Sequence, residues 1–253
     1  ITVGVSPAPL TITANSAGKI YGQTLIFAGA EFTATGLTNG DDISSVTLNS
    51  AGAVNTAVVG SYPIIPSAAV GSGLANYVIT YATNGTLTVG KAVLGITANN
   101  TNRLYNTANP AFTWTASGLV NGDNLSVLSG SPLLTTTAVS NSPVGNYAIV
   151  TTNGTLTATN YSFNFTNGTL TILTGTYGIT WTNPAGIVYG ALLGTNQNNA
   201  TATAAGNYIY SPTNGVLLPA GTNLLSVVFT PADTNYAATN LSVLLVVTPA
   251  PLT

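Results

Sequence analysis

The chain contains no cysteine, no methionine and no histidine, and its 253 residues include only three Lys or Arg and five Asp or Glu. Without cysteine there is neither a disulfide framework nor a thiol nucleophile. Without cysteine and histidine, zinc, copper and haem lose their usual ligands, and serine loses its usual base. A chain free of oxidisable sulfur suits an oxidising exterior. The net charge is -2, and three scattered basic residues cannot track a phosphate backbone, so nucleic acid is not expected as a partner. No apolar run approaches a membrane span; Leu244-Leu-Val-Val247 fits a buried strand. Lys, Glu, Gln and Arg, the polar helix formers, are nearly absent, and Thr, Ser and Asn supply the polar surface, which favours strands and turns. Hydrophobic residues still make up 45%, enough for a core and too many for a disordered linker.

What is present is repetition. Asn84-Gly-Thr-Leu-Thr-Val89 returns as Asn167-Gly-Thr-Leu-Thr-Ile172. Ahead of the first copy stand Tyr21-Gly22, Phe32, Gly36-Leu37, Asn39-Gly-Asp41, Gly60-Ser-Tyr62 and Asn76-Tyr77. Ahead of the second stand Tyr105, Phe112, Gly118-Leu119, Asn121-Gly-Asp123, Gly145-Asn-Tyr147 and Asn160-Tyr161. Matching landmarks are 80 to 85 residues apart, so the two segments share one ground plan.

Alternation marks the strands. In Tyr77-Val-Ile-Thr-Tyr81 and Tyr161-Ser-Phe-Asn-Phe165 every second residue is apolar, which places one face on a core. The following Asn-Gly predicts a tight hairpin, with Thr86–Val89 and Thr169–Ile172 running back beside their partners. Asp41 and Asp123 are expected to cap one helical turn each, over Ile43–Val46 and Leu125–Val127. The third segment, with Trp181, Ile187-Val-Tyr-Gly190, Gly206-Asn-Tyr-Ile-Tyr210 and Val227-Val-Phe-Thr-Pro231, reads as about seven short strands on a different plan, a small β-sandwich.

The two ends match each other. Ile1–Val5 followed by Ser-Pro-Ala-Pro-Leu-Thr11 corresponds to Val243–Val247 followed by Thr-Pro-Ala-Pro-Leu-Thr253. The expectation is a piece of a longer array, in which 1–5 end a preceding unit and 249–253 open the next. Pro-Ala-Pro would serve as a stiff extended connector.

These motifs carry a resemblance. The first two segments are similar to MBG domains of the type named for a Tyr-Gly-x motif. Tyr21-Gly22-Gln23 matches that motif directly, while Asn106 replaces its glycine in the second segment. There the match rests on Gly-Leu-Val-Asn-Gly-Asp123, Pro-Val-Gly-Asn-Tyr147 and Asn-Gly-Thr-Leu-Thr171. The third segment resembles bacterial Ig-like repeats. The resemblance implies an extracellular structural array, as in very large repetitive bacterial surface and secreted proteins, with no catalytic residues to carry over.

The candidate sites are few. Asn39, Asp41 and Asp42 gather oxygens on one turn, but the second copy has Asn121, Asp123 and Asn124, and Ca2+ takes 6–8 oxygens. A turn and cap is the reading taken, and no metal or cofactor is expected. The remaining acids, Glu31, Asp123 and Asp233, are spread over three segments, so no carboxylate pair for glycoside hydrolysis forms. Lys19 or Lys91 with the lone Glu31 raises a Lys–Asn isopeptide cross-link, against which stands the reading that Lys and Glu face solvent. Asn-x-Ser/Thr occurs at Asn84, Asn99, Asn124, Asn153, Asn160, Asn164, Asn167, Asn199 and Asn240, about the number that so much Asn, Ser and Thr produces by chance. Trp114 and Trp181 suit core packing better than a glycan platform.

The expected fold is all-β: a terminal strand and linker (1–7), two MBG-like modules (8–89 and 90–174), an Ig-like sandwich (175–248) and the start of another repeat (249–253), forming an elongated array. No enzyme is expected. Few Lys guard the strand edges and net charge is low, so copies of the chain are the expected partners, assembling through strand edges or through strand complementation by residues 1–5. An adhesin segment that binds glycan or a host surface is the alternative.

Overall fold

The computed structural model of the chain describes residues 4–83 and 85–251. The protein is all-β. Three single turns of 3-10 helix, at Ala51–Ala53, Leu74–Asn76 and Leu125–Val127, are the only helix among the described residues. The chain forms two compact units, one of Ile1–Asn99, Thr113–Thr135 and Val150–Asn167, the other of Asn100–Phe112, Thr136–Ile149 and Gly168–Thr253.

The first unit opens with strands β1 (Ala8–Ala14), β2 (Ala17–Ile20), β3 (Phe32–Thr35), β4 (Ile43–Asn49), β5 (Gly60–Gly71), β6 (Tyr77–Ala82) and β7 (Gly85–Gly90). They make two sheets, β3-β1-β6 and β4-β5-β7-β2. In each sheet one pair is parallel, β1 with β6 and β2 with β7. The alternation in β1 explains its place: Leu10, Ile12 and Ala14 are buried, while Pro9, Thr11 and Thr13 point the other way. Leu10 and Ile12 pack on Ile43, Val46 and Tyr77, and Ala14 on Ile64 and Leu87. Full burial of such aliphatic side chains stabilises by about 1.5–3 kcal/mol each.

The next seven strands are β8 (Ala92–Ala98), β9 (Thr101–Leu104), β10 (Trp114–Ser117), β11 (Leu133–Thr135), β12 (Gly145–Thr152), β13 (Tyr161–Thr166) and β14 (Gly168–Leu173). In the first unit, β8 pairs antiparallel with β10 and parallel with β13, as β1 does with β3 and β6. In the second unit, β14 pairs antiparallel with β12 and parallel with β9, as β7 does with β5 and β2.

The second unit continues with β15 (Gly175–Thr176), β16 (Ile179–Thr180), β17 (Ile187–Val188), β18 (Thr201–Ala202), β19 (Gly206–Ser211), β20 (Gly221–Pro231), β21 (Tyr236–Ala237) and β22 (Thr239–Thr248). The expectation of a different plan is corrected here. The four-stranded sheet β17-β22-β20-β19 has the order of β2-β7-β5-β4, again with a parallel pair where a short early strand meets the last one. The other sheet is divided into β15-β21 and β16-β18. Trp181, Leu193, Leu225, Val227, Leu245 and Val247 form the core of this segment.

Two local expectations fail for reasons visible in the pairing. β6 and β7 do not form a hairpin, because both edges of β7 are taken by β5 and β2 and β6 instead lies along β1. The chain changes sheets at Gly85, where a Cβ would stand 2.5 Å from the carbonyl oxygen of Ala14. The glycine therefore serves close backbone approach, not a hairpin turn. β13 and β14 likewise belong to different sheets. Ile43–Val46 is strand rather than helix, held in β4 by pairing with β5 and interrupted by two register shifts. Leu125–Val127 is a helical turn as expected, but its cap is Asn124, whose Oδ1 accepts the Ser126 N–H at 2.9 Å. Of the strand expected over 1–5, residues 1–3 lie outside the described residues, and Gly4 and Val5 carry no strand. Asn84, and residues 252–253 of the segment expected to open a next repeat, also lie outside them.

Candidate functional site

The Gly-Leu-x-Asn-Gly-Asp turns bend through two successive left-handed residues, Asn39 (φ 58°) with Gly40 (φ 77°) and Asn121 (φ 56°) with Gly122 (φ 77°). Asn and Gly tolerate that conformation best. The bend turns each aspartate back toward the tyrosine that opens a later strand. Tyr77 Oη donates to Asp41 Oδ2 at 2.9 Å and accepts the Thr38 N–H at 2.9 Å. Tyr161 Oη donates to Asp123 Oδ2 at 2.7 Å and accepts the Val120 N–H at 3.0 Å. Burial first, and then the Asp123 carboxylate beside it, push the Tyr161 phenol up to about 12. Asp41 and Asp123 are thus acceptors for a corner tyrosine rather than helix caps.

In the first unit the Tyr161 corner receives a tyrosine from far earlier in the chain. Tyr21 donates to the same Asp123 Oδ2 at 3.1 Å, and its ring meets Tyr161 edge to face at 5.6 Å and 81°, a favourable arrangement for two aromatic quadrupoles. Tyr21 sits on a turn held by its N–H to Gly90 O at 2.9 Å and by Gly22 N–H to Asn55 O at 3.1 Å. Gly22 has φ +90°, and a Cβ there would stand 2.6 Å from Val120 Cγ2. Around this contact Asn121 Nδ2 donates to Asn55 O at 2.9 Å, and Asn160 Oδ1 accepts the Val59 N–H at 3.1 Å. One apolar cluster runs through it, from Tyr21, Ala57 and Val89 to Ala92, Leu94, Ile96, Leu156 and Tyr161. The two repeats therefore share a core at this joint.

The second unit builds a corresponding aromatic joint, in which the nearby aspartate, Asp233, accepts from Asn235. Tyr105, on a turn held by its N–H to Leu173 O at 2.8 Å, meets Tyr236 edge to face at 5.2 Å and 89°. Asn235 Oδ1 accepts the Val144 N–H at 2.8 Å, as Asn160 does for Val59. Tyr177 stacks on the Tyr236 ring at 3.9 Å.

Two cations, not counted as functional from the sequence, fasten these turns. Lys19 is buried, and its Nζ donates to Gln23 O at 2.7 Å and Val54 O at 2.6 Å. Desolvation lowers its pKa. Arg103 is buried in its own unit and donates to Asn109 Oδ1, Leu104 O, Ser140 O and Val139 O. Each stands two residues before the joint tyrosine, in Lys-Ile-Tyr21 and Arg-Leu-Tyr105, and that shared spacing was the available signal.

The other candidates are placed as follows. Lys19 and Glu31 do not meet: Glu31 accepts the N–H groups of Ala28, Gly29 and Ala30, which hold its carboxyl below the usual range. The expectation of a solvent-facing Lys19 is corrected, because two carbonyls satisfy its ammonium where it is buried. Lys91 donates to Ala158 O at 3.0 Å. Asp42 takes a backbone role, its N–H on Ser72 Oγ at 3.0 Å, and among the described residues no three acidic or metal-ligating side chains stand together. Trp181 is buried, its Nε1 donating to Gln197 O at 2.9 Å. Trp114 packs against the shared core of the first unit.

The family described as MBG domain (YGX type) matches residues 10–88 and again 94–171. No curated protein matches the chain significantly. Among solved structures, Drosophila N-cadherin EC1-4 is similar at 11% identity and TM-score 0.25, covering 96% of this chain and 76% of that one. Drosophila N-cadherin EC1-3 gives 11% identity and TM-score 0.26, with 94% and 98% covered. Sidekick-1 immunoglobulin domains 1-4 give 10% identity and TM-score 0.28, with 95% and 76% covered. At such TM-scores these likenesses carry no further argument.

Proposed function

Because this chain belongs to the MBG domain (YGX type) family, we propose that it is a structural repeat segment of an extracellular bacterial fibre, stalk or surface protein. In this reading residues 8–89 and 90–174 are MBG modules, and 175–248 is an Ig-like β-sandwich built on a closely related sheet plan. Copies of the chain associate into filaments through their strand edges.

The observation that carries the reading is the edge-to-face tyrosine pair with its Asn acceptor, made twice along the chain, with a shared core where Tyr21 meets Tyr161. A flexible string of binding modules has no need of buried contacts between neighbours, whereas a load-bearing array does. Two further features support association. Among the described residues only Lys19 and Arg103 are charged within the strands, and both are buried on carbonyls, so no described strand edge carries a free Lys as a guard. In the third segment, Ile209, Val228, Leu224, Leu244 and Val246 are exposed large hydrophobics on β19, β20 and β22.

Electron microscopy of the purified chain, with sedimentation over a range of concentration and salt, tests this. Ordered filaments or concentration-dependent oligomers are expected. Isolated single chains that bind glycan arrays or cell surfaces would replace the structural reading with that of an adhesin.

A further inference from the structure

Three strands occupy matching places at the edges of their sheets: β4 beside β5, β11 beside β12 and β19 beside β20. β4 and β11 end their sheets although another segment follows each in this chain, so a following segment does not take up this edge. The three differ in how they are guarded. β4 is interrupted by two register shifts, and its Val46 N–H is taken by Gly29 O at 2.9 Å. β11 is three residues long. β19 runs six residues, paired to β20 without a shift. It holds neither proline nor charge, and Asp233 is the only charged residue in 175–248. Bulges, shortness, proline and charge keep an edge from recruiting another strand, and β19 has none of them.

The pairing with β20 shows which backbone groups the edge offers. Ala232 N–H donates to Ala205 O at 2.9 Å, and Gly206 stands opposite Pro231, which has no N–H. Antiparallel pairs alternate between bonded and unbonded, so Asn207, Ile209 and Ser211 bond to β20. Gly206, Tyr208 and Tyr210 turn their N–H and C=O groups outward. Beside them lies a groove of about 380 Å3 lined by Tyr208, Ile209, Tyr210, Thr213 and Asn214, which gives a strand room to approach. The Tyr208 and Tyr210 rings stand nearly parallel there, 6.3 Å apart with 11° between their planes.

We propose that this edge is a docking site for β19 of a second copy of the chain, antiparallel about a twofold axis, so that two four-stranded sheets join into one. The proposal rests on the reading of the chain as a self-assembling structural segment and names the edge that carries the contact. A copy fits because the edge complements itself. With Tyr208 opposite its twin, Gly206 of each copy falls opposite Tyr210 of the other, and all the outward residues find backbone partners. The Tyr208 rings form a cross-strand aromatic pair, and Tyr210 covers the glycine that has no side chain. On the other face Ile209, 58% exposed, lies opposite Asn207 and diagonal to its twin, at the ~7–8 Å typical of such neighbours. With a single charge in the whole segment, nothing repels a like copy and nothing selects a charged partner. Pairing along one short strand buries well under the roughly 800 Å2 per partner of a standard interface, so association is expected at high micromolar concentration. A twofold contact closes at two copies, so this chain should form dimers.

Opposite charges at one exposed position test this. Ile209→Lys and Ile209→Glu each set like charges across the twofold axis, and unchanged thermal unfolding will report an intact fold. Sedimentation of the wild-type chain up to about millimolar concentration should show monomers passing to dimers. Each variant alone should dimerise about tenfold more weakly or worse, and an equimolar mixture should recover dimers, lysine against glutamate. The chain has no cysteine, so introduced thiols report the register. Asn207→Cys mixed with Ile209→Cys should cross-link on mild oxidation, because opposed residues of an unbonded pair stand about 4.5 Å apart; either variant alone should cross-link far less. Wild-type association that persists in both charge variants would overturn the β19 contact and leave the self-assembling segment standing. Monomeric variants whose mixture gives no dimers would overturn the pairing of β19 with its twin, and dimers without the cross-link would overturn the register centred on Tyr208. A wild-type chain monomeric throughout would overturn both readings, and glycan-array binding lost in Ile209→Lys would then assign the groove to sugar.

Discussion

Tyr21 and Tyr161 share one acceptor. Their hydroxyls lie 3.1 Å and 2.7 Å from the same oxygen, Oδ2 of Asp123, and their rings meet edge to face. Residues some 140 positions apart in sequence are thereby tied into one polar group inside an apolar cluster. Removing a hydrogen-bond partner of a charged group costs about 1.5–3 kcal/mol, so Tyr161→Phe is expected to destabilise the first unit by that amount. Tyr21→Phe should cost less, because its bond is longer. In a double-mutant cycle read by denaturant unfolding the two costs should be non-additive, since both act through Asp123. Strict additivity would show that the two hydroxyls do not share the carboxylate.

Gly22 is a point of close approach in that joint. Its positive φ and the 2.6 Å that would separate a Cβ from Val120 Cγ2 together predict that Gly22→Ala destabilises by about 1–3 kcal/mol. Adding Val120→Ala should recover part of the loss, by relieving the contact and leaving only the backbone strain. Equal stability of Gly22→Ala with and without the second change would place the cost in the backbone alone.

The repeat, the strand alternation and the Asn-Gly-Asp turns were all legible, because each is local: Tyr77-Val-Ile79 and Asn39-Gly40 state their conformations within three residues. Pairing was not. Asn-Gly before Thr86 reads as a hairpin until one knows that β5 and β2 occupy both edges of β7, which is a fact about distant strands. The joints were half legible. Tyr21-Gly22 was visible as a motif, but its partner Tyr161 was read only as a strand start.

Stability should be flat between pH 5 and 8, since there is no histidine and the ordinary carboxylate and tyrosine ranges lie outside that window. Glu31 has a depressed pKa, so what it contributes is present above the unfolded value near 4.5 and fades as pH falls below it. Tyr161 has a raised one, about 12 against 10.0 unfolded. The folded state keeps that proton while the unfolded chain loses it, so stability is full below pH 10 and declines as pH rises from there toward 12. Tm measured by circular dichroism across pH 4–12 should fall off on the acid side and again above pH 10, and Tyr161→Phe should make the alkaline fall shallower.

Lys19 and Arg103 set two effects against each other. A buried cation has lost hydration, which favours replacing it with an apolar side chain of similar length. The carbonyls it serves would then be buried without donors, at about 1–3 kcal/mol each. Lys19 serves two, Gln23 O and Val54 O, whereas Arg103 serves three carbonyls and the Asn109 side chain. The loss should outweigh the relief in both, and by more for arginine, so Arg103→Met is expected to destabilise its unit by about 3 kcal/mol and Lys19→Met by less. Amide exchange should quicken around Val139–Ser140 in the first variant and around Val54 in the second, because those loops lose their fastening. Lys19→Met carries its own signature at high pH. The lowered folded pKa means that the unfolded chain holds this proton longer, so the native lysine adds stability as pH climbs toward 10.5. The variant should lack that rise and show the tyrosine decline alone; an unchanged alkaline profile would mean that Lys19 is solvated rather than held on its two carbonyls.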